Sequence, residues 1–177
     1  MKKEWYRAVL IATGLLTLAV VGGACKSKTP VRELMAYPAD NAEGVIDQGR
    51  VSFDPAVSSD GRGSLKITAP DPVTVRLFET GDLDIEDARI IYQAKVKAED
   101  FEGKAYLEML CRFPGKGDFF SRGLDRPISG PVDWTSLAIP FFLKKGENPD
   151  NLALNLVIEG KGTLWIDELK LTSEPLD

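Results

Sequence analysis

From Val45 to the C-terminus the chain alternates apolar and polar residues with a period of two, and the alternation is cut at short intervals by clusters of Gly, Pro, Asp and Ser. In a β-strand successive side chains point to opposite faces, so this pattern yields half-buried strands and leaves no room for an amphipathic helix. The strands expected are Ser64–Ala69, Val73–Thr80, Ala88–Ala98, Lys104–Phe113, Phe119–Leu124, Trp134–Leu143, Asn151–Glu159 and Thr163–Thr172. Breaks fall at Ser58-Ser59-Asp60-Gly61, Pro70-Asp71-Pro72, Gly115-Lys116-Gly117, Ser129-Gly130-Pro131, Lys145–Asp150 and Gly160-Lys161-Gly162. The two Gly-Lys-Gly triplets read as hairpin turns. Many short strands at this spacing predict an all-β fold, a jelly-roll β-sandwich over residues 45–177, large enough to bury a core without disulfides.

The alternation also assigns faces. Leu152, Leu154, Leu156 and Ile158 share one face of their strand, and Ala105, Leu107, Met109, Cys111 and Phe113 share one face of theirs. The opposite faces carry Arg76, Tyr106, Glu108, Arg112, Arg122, Asn155 and Glu159. Guanidinium forks, carboxylates, an amide and an aromatic ring together suit a polyhydroxylated ligand, whose hydroxyls need donors and acceptors at once. Arg76, Tyr106, Glu108, Arg112, Arg122 and Asn155 are therefore the candidate ligand-binding residues. The competing reading of the same residues is a solvated face held by cross-strand ion pairs such as Glu108 with Arg112 or Arg122.

Composition excludes several classes of function. The chain has no histidine, which removes Ser-His and Cys-His nucleophile pairs and imidazole-ligated metals. It has two cysteines, Cys25 and Cys111, and Cys111 reads as a small buried hydrophobe. The formal net charge is −5; setting aside Lys2, Lys3, Arg7 and Glu4 of the first 24 residues leaves the remainder at −7. That balance argues against nucleic acid and against general attraction to an anionic membrane. Asp82 to Asp87 has the acidic spacing that opens a calcium loop, yet Asp87 stands where the sharp turn needs Gly and Gln93 where the loop needs Glu.

At the amino terminus, Lys2, Lys3 and Arg7 precede an apolar run of 14 residues from Ala8 to Val21, followed by Gly22-Gly23-Ala24-Cys25. This describes an export signal. With cysteine directly after small residues it resembles the bacterial lipoprotein signal, although Gly22 stands where that family usually has Leu. The resemblance implies a signal-peptide helix over residues 1–24 and lipidation of Cys25, with a flexible tether over 25–44. It also implies a place in the cell envelope, with Lys26 leaning toward the outer membrane. Ordinary cleavage after Ala24 and retention as an uncleaved anchor are the alternatives.

Gly63-Ser64-Leu65-Lys66-Ile67, then Gly130-Pro131-Val132-Asp133-Trp134, then Gly162-Thr163-Leu164-Trp165-Ile166-Asp167-Glu168 form an ordered series. It resembles the carbohydrate-binding-module-like jelly rolls, also called galactose-binding-domain-like, over roughly Val45 to Ser173. The resemblance implies a structural calcium ion between an early loop and the final strand, with Asp60 and Asp167 as its ligands. It departs in its aromatic residues: Tyr106, Phe78 and Trp134 are the only candidates for a sugar-stacking platform. The expected function is an envelope-anchored, non-catalytic module that binds a glycan or cell-envelope polymer. A protein–protein adaptor is the alternative. A glycoside hydrolase using Glu108 and Glu159 is the enzymatic one.

Overall fold

Two long strands run through the whole molecule. The computed structural model describes residues 31–81 and 83–176, so the signal segment, Cys25 and Asp82 lie outside the described residues. The strands, in chain order, are β1 (Arg32–Tyr37), β2 (Val51–Asp54), β3 (Ser64–Ala69), β4 (Val73–Gly81), β5 (Ala88–Phe113), β6 (Gly117–Arg122), β7 (Ile128–Ser129), β8 (Val132–Leu143) and β9 (Asn151–Pro175). All pairings are antiparallel. β5 and β9 pair along nearly their full length and fold over together at Asp100–Gly103 and Glu159–Gly162.

The fold-over creates two layers. In the first sheet the N-terminal half of β9 lies between β4 and the C-terminal half of β5, which continues to β6. In the second sheet the C-terminal half of β9 takes β3 and β1 on one side and β5 on the other, with β2 and β8 at the edges. Leu152, Leu154, Leu156, Ile158, Leu107, Met109 and Cys111 from the first sheet meet Leu65, Ile67, Ile90, Tyr92, Val96, Leu164 and Ile166 from the second, all fully buried. Each such aliphatic side chain contributes about 2 kcal/mol of burial, so this interface is the core of a β-sandwich.

Because the long strands double back, Ala88 and Phe113 emerge at the same end of the sandwich, as do Asn151 and Pro175. This open end also carries the start of β1, the β5–β6 turn and the loop after β8. The opposite end is the fold.

Three expectations change. Gly160-Lys161-Gly162 is no hairpin turn: Lys161 stays in the ladder opposite Glu102, and the strand continues. Residues 32–37, assigned to a tether, form β1 against β9, and Ala39 and Val45 are core residues, so within the described residues this stretch belongs to the domain. The short strands β2 and β7 carry too few residues for a period to show.

Candidate functional site

The outward face of the first sheet is built in rows, because antiparallel register sets one residue of each strand beside the next. Arg76 of β4 pairs with Asn155 of β9, Asn155 with Glu108 of β5, and Glu108 with Arg122 of β6. Four of the six candidate ligand-binding residues therefore form a single row across the sheet. Tyr106 stands one row toward the fold, beside Val157, and Arg112 two rows toward the open end, between Asn151 and Asp118.

The row is tightly bonded. Glu108, only 6% exposed, accepts from Arg122 Nε at 2.5 Å and from Asn155 Nδ2 at 3.0 Å. A carboxylate can only accept here, which fixes the amide with its nitrogen toward Glu108. Asn155 Oδ1 is then left buried, without a hydrogen-bond partner among the described residues. An unsatisfied buried acceptor costs free energy that a hydroxyl donor would recover. Beside the row, the Tyr106 hydroxyl donates to Glu159 at 2.8 Å, and Lys104 pairs with the same carboxylate at 3.0 Å. Burial, then Glu159, pushes the Tyr106 phenol above its ordinary value, while Tyr106 and then Lys104 hold Glu159 below the usual carboxylate range.

Between the Asn155 row and the Arg112 row runs Glu79–Ala153–Leu110–Phe120. Ala153 is buried and Leu110 half-buried, so the middle of this row offers little open surface. Phe120 stands at its end, 57% exposed, with the Arg122 guanidinium 4.2 Å from its ring centroid. The sequence analysis put Arg122 on an outward face but missed Phe120 as an open aromatic surface. Its alternation with Arg122 on a short edge strand was the available signal. The expected platforms fare differently. Phe78 is a core residue stacked on Tyr37 at 3.9 Å, placed there by an irregularity between Arg76 and Phe78. Tyr106 is buried in its row at 3% exposure, and Trp134 belongs to β8 in the second sheet.

The comparisons with known proteins bear on the fold. No family model matches the chain, and no curated protein does. Among solved structures, the CBM22-1 xylan-binding domain of Xyn10C from Paenibacillus barcinonensis is similar with a TM-score of 0.62 at 14% identity, covering 85% of this chain and 98% of that one. A family 16 carbohydrate-binding module is similar at 0.53 and 14% identity, over 75% of this chain and 95% of that one. The fold is that of the carbohydrate-binding modules. It is not theirs alone: the cyclase Fisc from Fischerella sp. TAU, solved with an indole derivative, is similar at 0.52 and 15% identity, over 81% and 85% of the two chains.

The calcium expected from that fold family can be tested on its donor set. Asp60 and Asp167 do lie in one corner, but protein groups already engage them. Both Asp60 oxygens accept bonds from Arg62, whose Nη2 lies 2.6 Å away. Asp167, fully buried, accepts the Ser59 N–H and the Glu168 N–H, each at 2.8 Å. Glu168 accepts from Lys95 at 2.6 Å and from the Ser59 hydroxyl. No group of three or more candidate metal-ligating residues occurs among the described residues. Calcium needs six or more free oxygen donors; this corner, filled by Arg62 and Lys95, does not fit it.

The carboxylate pair is equally ill-suited to glycoside hydrolysis. Glu108 is taken up by Arg122 and Asn155, and Glu159 by Tyr106 and Lys104. Tyr106 stands between them, and Glu159 has a lowered pKa where a general acid needs a raised one.

Proposed function

We propose that this chain is a non-catalytic glycan-binding module whose polymer ligand crosses the outward face of the first sheet, over the exposed ring of Phe120 and beside the Asn155 row. The observation that carries the reading is the buried, unpartnered Asn155 Oδ1 in a row that ends beside the exposed ring of Phe120. A hydroxyl would satisfy the first and a sugar's C–H face would stack on the second. Charges on this face pair off internally: Arg76 with Glu79, Arg122 with Glu108, Arg112 with Asp118 and Lys104 with Glu159. The face thus offers dipoles and forked donors without net charge, which suits a neutral polysaccharide better than an acidic one. The similar xylan-binding domains make xylan the first polymer to try.

Affinity electrophoresis and calorimetry of the purified chain against xylan, glucans, peptidoglycan and acidic polysaccharides test this. Binding to a neutral polymer, weakened at least tenfold in Phe120→Ala and in Asn155→Ala, supports the reading. Binding that survives both substitutions moves the site elsewhere. A folded chain that binds no polymer overturns the module reading in favour of the protein adaptor.

The same reading places the protein in the cell envelope through a lipid on Cys25, supported by the signal pattern alone. Incorporation of labelled palmitate that is lost in Cys25→Ser is the expected result.

A further inference from the structure

Seven large hydrophobic side chains are exposed among the described residues, and four of them, Val31, Phe119, Phe142 and Leu176, cluster at the open end of the sandwich. Their placement follows from register. Phe142 pairs with Arg89 and Leu143 with Ala88 at the start of β5; Phe119 pairs with Cys111 close to the end of β5. Val31 precedes β1, whose Arg32 pairs with Ser173, and Leu176 follows the last rung of β9. Phe113, Phe119, Phe141 and Phe142 line a shared open cleft of about 240 Å³, with Lys116, Lys144 and Glu147 on its rim. The Phe113 ring lies 5.6 Å from Phe119 and 6.1 Å from Phe141, so the cleft leads into the core between the two sheets.

Charges of both signs surround the cleft. Carboxylates stand there as well: Glu147 accepts the Lys144 N–H and Glu86 the Gly146 N–H, which leaves both charged beside the lysines, while Asp118 pairs with Arg112 and Glu174 with Arg89. Lys116, Lys144 and Lys145 make no ion pair among the described residues. Exposed rings ringed by free ammonium groups suit an interface where apolar side chains enter acyl chains and lysines meet phosphates.

Chain direction names the occupant. The apolar run Ala8–Val21 and Cys25 precede β1, so they join the domain at this end. Six residues, Lys26–Val31, separate Cys25 from β1, and they span at most about 20 Å when fully extended. The Phe119–Phe142 cleft is thereby held within reach of whatever bilayer holds the N-terminus.

We propose that the open end of the sandwich is a membrane-docking surface: Phe119 and Phe142 enter a phospholipid interface, Lys116, Lys144 and Lys145 contact its phosphates, and the glycan face stands upright beside it. The inference rests on the membrane-anchoring part of the reading above. Docking would restrict the orientation of the first sheet instead of leaving the domain to swing on its linker.

The test uses the full chain carrying its lipid on Cys25 and reconstituted in vesicles, with Phe142→Cys carrying a nitrobenzoxadiazole label. Cys111 is buried, its thiol pushed up to about 12, so it stays unlabelled in the folded chain. A Phe120→Cys chain, labelled on the sheet face, is the control. In phosphatidylcholine–phosphatidylglycerol vesicles the label at position 142 is expected to shift to the blue, to be protected severalfold from aqueous iodide and to be quenched by brominated acyl chains. The label at 120 is expected to remain open to iodide. Flotation with the vesicles while position 142 is as open to iodide as position 120 overturns docking and leaves anchoring intact. Protection from iodide without quenching by brominated lipid means a protein contact and also overturns it. Failure to float overturns anchoring and docking together.

Discussion

Tyr92 illustrates how a single atom departs from the pattern around it. Its ring is fully buried in the core, yet its hydroxyl finds no partner among the described residues. Tyr92→Phe removes an unsatisfied polar atom while preserving the packing, so stability should rise by about 1 kcal/mol, measured as an increased urea midpoint at constant slope. Asp167 is the opposite case. It is fully buried but accepts two backbone N–H bonds, one to Ser59 on a loop far away in sequence and one to Glu168, whose φ is +48°. Asp167→Ala would orphan both donors and cost about 3 kcal/mol, with Asp167→Asn costing less. Since Arg62 and Lys95 supply the cations of this corner, the melting temperature should be the same in calcium and in chelator. A calcium-dependent rise would show that the corner opens to admit the ion.

At the scale of elements, the decisive feature is the fold-over of β5 and β9. Gly160 and Gly162 are there because the two chains touch: a Cβ on Gly160 would strike the Glu102 carbonyl, and one on Gly162 would lie 2.5 Å from the Asp100 carbonyl. Neither neighbour is a flexible side chain, so the clash cannot be relieved by a rotamer change. Gly160→Ala should therefore destabilise the domain by about 3 kcal/mol or more. Gly115→Ala, in the open β5–β6 turn with nothing near its Cβ, should cost only about 1 kcal/mol for its positive φ. Comparing the two denaturation midpoints separates close packing from backbone strain. A second element-scale device is the irregularity at Glu168, opposite Gln93–Lys95. Leu164 and Ile166 face the core before it, and Leu169 and Leu171 after it, so the inserted residue reverses the parity of the strand.

For the whole molecule, the shifted groups set the pH range of stability. Asp54 is held below its ordinary value first by the Trp165 indole and then by the Ala56 N–H, and Glu168 first by Lys95 and then by Ser59. For such groups the unfolded chain binds more protons. Stability is fully present above the unfolded values near 4 and is lost as pH falls through the folded ones. Tyr37, Tyr92 and Tyr106 are raised, by burial first in each case. There the folded state keeps its protons, and stability is lost as pH rises above about 10. Chemical denaturation across pH should give a plateau between about 5 and 9 that falls on both sides. A plateau extending below pH 3 would mean that these carboxylates contribute nothing.

What the sequence determined by itself is everything that follows from period and chemistry along one strand. Alternation identified Leu152 to Ile158 and Ala105 to Phe113 as core faces, because inward and outward positions differ at every second residue. It also put Arg76, Tyr106, Glu108, Arg112, Arg122 and Asn155 on outward faces. Tertiary structure decided what depends on two strands at once. Register placed four of those six in one row and turned Glu108 and Asn155 into a bonded pair with an orphaned oxygen. The fold-over joined segments that Gly160 and Gly162 seemed to divide, since an extended glycine and a turning glycine look alike until the opposing strand is known. The same doubling-back gathered Val31, Phe119, Phe142 and Leu176 at one end, from positions that no local period connects. Arg62 and Lys95 could be read in the sequence only as surface charges. Only the folded corner shows them standing against Asp60 and Glu168, where the family resemblance had implied a metal.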